Sequence, residues 1–355
     1  MNSCFINGIG CVSAQNTFEN TFFEDAIDIS NLNIVKAIKP NYKSFIPPAS
    51  IRRMSAGVKN SIVASSVAIK EASADQLDGI IVGTGLGCIQ DSENFLNKMI
   101  GYNEEYLTPT AFIQSTHNTV SGQIALKLKC KAYNFTYVNT GGSFQSALID
   151  GLLMFEGEEA NNILIGGVDE HAEYTNKLYQ AIGYYRQDEE GKKNILKQRK
   201  SGVIPGEGAS YFVLGNEQSD STYAKILDVQ LVNKLDQIDL PSFILDFLSK
   251  NELKLDEIDV VILGNNGDDE FDTYYDEASS IFESSTLLYY KHLFGEFLTS
   301  SSVATYIAAK ILREQVIPEH LLGEQKVRKS DKIGNILIYN QYRGKDHSLI
   351  LMEDV

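Results

Sequence analysis

Short apolar runs that end in glycine alternate along this chain with longer stretches of helical periodicity. Cys4–Val12 (CFINGIGCV) reads as a buried strand entering a glycine turn. Val58, Ile62, Val63, Val67 and Ile69 then recur at helical spacing and predict a helix over residues 56–74. Residues 77–83 form a short apolar strand that runs into Gly83, Gly85 and Gly87. A small-residue helix is predicted over 120–129, and a strand rich in aromatic and β-branched residues over 135–138. A glycine turn and a further helix follow, and then a strand over 162–170.

The rhythm returns in the second half. A strand is predicted over 224–232, an amphipathic helix over 240–253, an apolar strand ending in a turn over 260–267, and a helix over 300–313. Residues 335–339 and 348–352 close the chain as a strand pair. No low-complexity linker and no short repeat period interrupt this order. The pattern predicts an α/β fold with duplicated layers over one core, divided into halves at 1–215 and 216–355.

Charge and composition narrow the function classes. The formal net charge of −16 disfavours nucleic acid and anionic membrane surfaces as partners. No apolar run approaches the roughly 18 residues that span a bilayer. The opening Met1-Asn-Ser-Cys-Phe-Ile-Asn-Gly8 lacks the basic and apolar regions of a signal peptide, so a cytoplasmic protein is expected. Cys4, Cys11, Cys88 and Cys130 are scattered, without metal-ligand spacing or a disulfide framework, and read as free thiols. Gly83-Thr-Gly85-Leu-Gly87 lacks dinucleotide-fingerprint spacing, and no cofactor or metal is expected. One local exception to the acidic balance is Lys192, Lys193, Lys197, Arg199 and Lys200, which reads either as a solvated loop or as a surface for an acidic partner or a phosphate.

Thr136-Tyr-Val-Asn-Thr-Gly-Gly-Ser-Phe-Gln-Ser-Ala-Leu-Ile-Asp-Gly151 is a strand, a tight turn and a helix start. Such an elbow can expose a nucleophile beside backbone donors. Here the tip is Gly141-Gly142, and Ser143 falls one position late, where serine ordinarily caps a helix. Ser143, Gln145 on the same first turn, and His117 in the polar stretch upstream are the candidate site-lining residues.

Taken in order, these segments resemble the β-ketoacyl-acyl-carrier-protein synthases, condensing enzymes of thiolase fold. The resembling stretches are Asn7-Gly-Ile-Gly-Cys-Val-Ser13, Arg52-Arg-Met54, Ile81-Val-Gly-Thr-Gly-Leu-Gly87, Ile165-Gly-Gly-Val-Asp-Glu170, Gly202-Val-Ile-Pro-Gly-Glu-Gly-Ala209 and Lys291-His-Leu-Phe-Gly-Glu-Phe-Leu-Thr-Ser-Ser-Ser302. The resemblance implies a thiolase-like layered αβαβα fold made of two similar halves. It also implies a catalytic cysteine and two histidines, and those positions here hold Gly142, Asn266 and Glu296, while the family lysine remains as Lys291. A carboxylate at Glu296 would repel a malonyl carboxylate and a developing enolate. Of the family's glycine–phenylalanine gate, Tyr342-Arg-Gly344 remains.

The expectation is therefore a non-catalytic subunit of chain-length-factor type, similar to proteins of aryl-polyene and flexirubin-type pathways. Its implied partners are an acyl carrier protein and a cysteine-bearing ketosynthase whose acyl tunnel it shapes, with 192–200 as a possible carrier surface. Two alternatives stay open. One is an acyltransferase or malonyl-carrier decarboxylase with altered catalytic residues, and the other is a homodimer that binds acyl groups or carrier protein without chemistry.

Overall fold

The apolar runs become ten strands of one mixed sheet in a computed structural model that describes residues 4–19, 21–186, 191–323 and 332–355. The opening Met1, Asn2 and Ser3 of the signal-peptide reading lie outside the described residues. The strands are β1 (Cys4–Val12), β2 (Gly79–Gly83), β3 (Tyr133–Tyr137), β4 (Asn162–Asp169), β5 (Gly208–Gly215), β6 (Ala224–Lys234), β7 (Val260–Leu263), β8 (Thr286–Tyr289), β9 (Asn335–Tyr342) and β10 (Lys345–Glu353). Their order is β3-β2-β4-β5-β1-β6-β10-β9-β7-β8.

Each half is wound the same way. Counted within its own half, the order from edge to seam is third, second, fourth, fifth, first. β2 runs parallel to β3 and β4, as β7 does to β8 and β9. The fourth–fifth and fifth–first pairs are antiparallel in both halves. β1 and β6 join the halves antiparallel at the seam, through Cys4–Ile226, Phe5–Lys225 and Ile6–Ala224. The 215/216 division falls between β5 and β6.

The helices are α1 (Pro48–Ile51), α2 (Ala56–Ala72), α3 (Ile89–Gly101), α4 (Pro109–Gln114), α5 (Thr119–Leu128), α6 (Ser143–Glu156), α7 (Glu173–Ala181), α8 (Leu240–Lys250), α9 (Thr273–Ile281), α10 (Lys291–Phe294) and α11 (Ser301–Glu314). They stack as outer and central layers. Val58 and Ile62 of α2 and Ile124 of α5 cover Val82, Leu164 and Val213 on the outer face of the first half. Phe144 and Leu148 of α6, with Ile307 and Ile311 of α11, fill the centre against Ile81, Phe212, Ile226 and Ile338. Ile244 and Phe247 of α8, with Tyr275 of α9, cover Val261, Leu337 and Leu351. This is the αβαβα layering expected from the sequence.

The central layer accounts for an odd sequence. Every residue from Ser301 to Leu312 is buried, so α11 carries Ser, Thr and Ala where a surface helix would turn polar residues to water. β5 is an element the sequence reading does not assign. All eight of its residues are buried, because it lies inside the sheet between β4 and β1. β3, by contrast, is an edge strand with Tyr133 and Phe135 exposed. No helix among the described residues is long and apolar enough to cross a membrane.

Candidate functional site

β3 ends in the turn that opens α6, and every backbone donor at its tip is engaged. The Gly142 N–H donates to the Asn139 carbonyl at 2.9 Å, and the Ser143 N–H to the Thr140 carbonyl. The Gly141 N–H donates to Asp346 Oδ2 at 3.1 Å. The same carboxylate accepts the Thr140 hydroxyl, and its other oxygen accepts Asn233 Nδ2 at 2.7 Å. Asp346, from β10 of the second half, thus caps the turn of the first. It holds Thr140, a β-branched residue, at φ 42° in the left-handed region. An oxyanion site needs donors aimed at open space, and here none of these three amides is free.

Room for a nucleophile is missing as well. A Cβ on Gly142 would lie 2.9 and 3.0 Å from the Leu231 methyls, and one on Gly141 would lie 2.6 Å from Tyr342 Cβ. All three distances are inside ordinary carbon–carbon contact.

Ser143, Gln145 and His117 have separate surroundings. Ser143 Oγ donates to the Thr140 carbonyl at 2.8 Å and accepts the Asn139 N–H at 2.8 Å, so it ties the turn. Gln145 is buried in the central layer, where Nε2 donates to Ser301 Oγ at 2.9 Å and Ser348 Oγ at 2.8 Å. His117 is exposed between α4 and α5, its ring over Gly87.

Asn266, Lys291 and Glu296 do meet. Asn266 sits in the loop after β7, where its N–H and that of Gly267 donate to Asp272 at 3.1 and 3.0 Å. Burial raises the Asp272 carboxyl to about 6 against those two bonds and the nearby Arg199 and Lys291 charges. Asn266 Nδ2 donates to Glu296 Oε2 at 2.6 Å, and Lys291 Nζ to the same oxygen at 2.7 Å. Ser300 Oγ donates to Oε1 at 3.2 Å. The Lys291 and Glu296 side chains are 0% and 3% exposed, so this ion pair is removed from water. It leaves the lysine no free charge for an incoming carboxylate.

Beside Glu296, Asp169, Tyr179, Tyr185, Leu298 and Tyr342 close on a cavity of about 20 Å³, enough for one water and too small for a thioester. Asp169 is held there by the N–H groups of Gly85, Leu86 and Thr299 at 2.9, 3.1 and 2.9 Å, while burial pushes its carboxyl up. The gate segment is pinned. The Arg343 guanidinium lies 3.9 Å from the Tyr184 ring centre and 5.0 Å from that of Phe271, with Asp268 3.9 Å away.

The five cations of 192–200 divide. Lys192 pairs with Asp28 at 2.7 Å, and Arg199 grips Asp276 through two bonds of 2.5 Å with Asp272 at 3.7 Å. Lys193 is buried, whereas Lys197 and Lys200 are exposed. Charge pairing and burial were not legible in the bare run of lysines, because Asp28 and Asp276 lie far away in sequence.

Sequence comparison finds no match among curated proteins. Residues 30–184 match the family described as "Beta-ketoacyl synthase, N-terminal domain". Solved structures share the fold over the whole chain. The ishigamide ketosynthase/chain length factor superposes with a TM-score of 0.83 at 16% identity, covering 100% of this chain and 99% of that one. A beta-ketoacyl synthase from Burkholderia phymatum STM815 gives 0.83 at 14% identity, with 100% of both chains covered. The ketosynthase ApeO in complex with its chain length factor ApeC, from Xenorhabdus doucetiae, gives 0.77 at 14%, covering 100% and 98%. Residues 30–184 thus resemble a β-ketoacyl synthase N-terminal domain, and the whole chain shares the thiolase-like fold of these structures.

Proposed function

We propose that the chain is a non-catalytic subunit of chain-length-factor type that pairs with a cysteine-bearing ketosynthase and shapes its acyl tunnel. The observation that carries this reading is the closed elbow: a glycine at the nucleophile position with its neighbouring amides all engaged, while the cavity beside Glu296 holds only about 20 Å³. Condensation needs a nucleophile, oxyanion donors and space for a thioester. Two of the structures that share the fold are described with a chain length factor.

The exposed face fits a subunit made for pairing. β3 leaves one edge of the sheet unpaired, with Tyr133, Phe135 and Val138 exposed along it. Phe112 and Ile113 of α4 and Leu126 of α5 add exposed apolar surface on neighbouring elements. Unpaired sheet edges with exposed apolar side chains are sites of association. The exposed Lys192, Lys197 and Lys200 are the proposed encounter surface for an acidic acyl carrier protein.

The test is co-expression with a cysteine-bearing ketosynthase, size-exclusion chromatography with mass measurement, and intact mass after incubation with malonyl- and acyl-carrier protein. A stable heterodimer acylated on the partner alone is expected. A covalent adduct or decarboxylation by this chain in isolation would overturn the reading. A stable homodimer that ignores every ketosynthase offered would favour the carrier- or acyl-binding alternative.

A further inference from the structure

A larger cavity lies apart from the one beside Glu296. It has a volume of about 810 Å³ and lies under the 192–200 run, against α9, α10 and the segment after α11. Adjacent residues separate the two places. Asn266 and Lys291 turn to Glu296, while their neighbours Asn265 and His292 line the large cavity.

Its wall carries buried polar atoms with no hydrogen-bond partner among the described residues: Lys193 Nζ, Asn265 Oδ1, His292 Nδ1 and His320 Nε2. Lys193 and Asn265 are only 8% and 6% exposed. Native proteins rarely leave such groups unpaired, and several converging on one cavity point to a ligand. Each group states what it needs. Lys193 Nζ is a cation that requires an anion or another acceptor. His292 Nε2 lies 2.9 Å from the His320 carbonyl, which can only accept, so Nε2 carries the proton and Nδ1 of the neutral ring is an acceptor. Asn265 Oδ1 is an acceptor too. Among the described wall residues, Asp28 and Asp276 are paired with Lys192 and Arg199, and Glu319 is exposed.

We propose that this cavity binds a free phosphorylated, hydroxyl-rich small molecule of sugar-phosphate to nucleotide size. Its phosphate would sit at Lys193 and its hydroxyls would donate to Asn265 and His292. The inference is independent of the ketosynthase pairing, since it uses neither the glycine turn nor the β3 edge.

Isothermal titration of the full chain with ribose 5-phosphate, AMP, inorganic phosphate and unphosphorylated ribose tests it. Saturable binding of ribose 5-phosphate or AMP is expected, tighter than inorganic phosphate, with ribose silent. Lys193→Met is expected to weaken it at least tenfold and Lys193→Arg to retain most of it. Should Lys193→Met fail to fold, Asn265→Asp, which places a negative charge on the wall, is expected to give the same loss. Binding of neither phosphorylated probe at millimolar concentration, binding no tighter than inorganic phosphate, or binding unchanged in the folded variants would overturn the proposal.

Discussion

Replacing Glu296 by glutamine changes one charge and almost no volume at the most buried ion pair described. The amide oxygen can still accept from Lys291 Nζ and Asn266 Nδ2, now 2.7 and 2.6 Å from Glu296 Oε2, so the loss is chiefly that of a counter-ion. With both side chains at most 3% exposed, the ammonium is then stranded away from water. Breaking one partner of a buried pair costs about 3–5 kcal/mol, and Glu296→Gln should fall near 3 because its hydrogen bonds survive. Lys291→Met should cost as much or more, since it strands the carboxylate with neutral donors alone. The double variant Lys291→Met/Glu296→Gln removes both charges of the pair and should cost less than the two singles together by at least about 2 kcal/mol. Urea unfolding at pH 7.5 and one fixed protein concentration measures all three, and 3 kcal/mol reads as a roughly hundredfold shift in the unfolding constant. Additive single effects, or a Glu296→Gln variant as stable as the parent, would refute the idea that this pair is a neutralised structural lock.

Three further outcomes are expected. Gly142→Cys, with its new Cβ against the Leu231 methyls, should lose about 1–3 kcal/mol and still show no thioester by intact mass with acyl-carrier protein; an adduct would mean the turn retains catalytic capacity. Phe135→Lys on the β3 edge should weaken association with a partner chain at least tenfold in sedimentation without lowering the melting temperature of the isolated chain, and unchanged association would place the interface elsewhere. Burial lowers His292 to about 4. Between that value and 6.5 the unfolded chain binds the extra proton, so this group's contribution is complete above pH 6.5 and drains as pH falls toward 4, by at most about 3 kcal/mol. The difference between parent and His292→Leu unfolding curves should slope across that window, and a flat difference would rule the contribution out.

The legible parts of the fold were those set by local pattern. Runs such as Val260-Val-Ile-Leu263 are apolar on both faces and end in glycine, and they became interior strands. β5 was not legible because its Gly-Ala-Ser start and unbroken burial give neither alternation nor a long apolar run. The seam between β1 and β6 joins residues more than two hundred positions apart, and no periodicity encodes that. At the site, the ordered resemblance led to Asn266, Lys291 and Glu296, while their shared hydrogen bonds are tertiary facts. Asp346 is a cap no local signal announces, since its partners Thr140 and Gly141 lie in the other half. The buried Lys193 beside exposed Lys192 was hidden because charge type alone does not tell which way a side chain turns.

The central helical layer has a consequence for synthesis. α6 is complete at residue 156, yet its inner face waits for α11, which ends at residue 314. At about 5–20 residues per second, that leaves the first half on the ribosome without its cover for roughly ten to thirty seconds. During that interval Phe144, Leu148 and Ile81, all buried in the finished chain, have no second half to meet. Apolar surface exposed for that long is prone to aggregation, so the yield of folded chain should respond to translation speed.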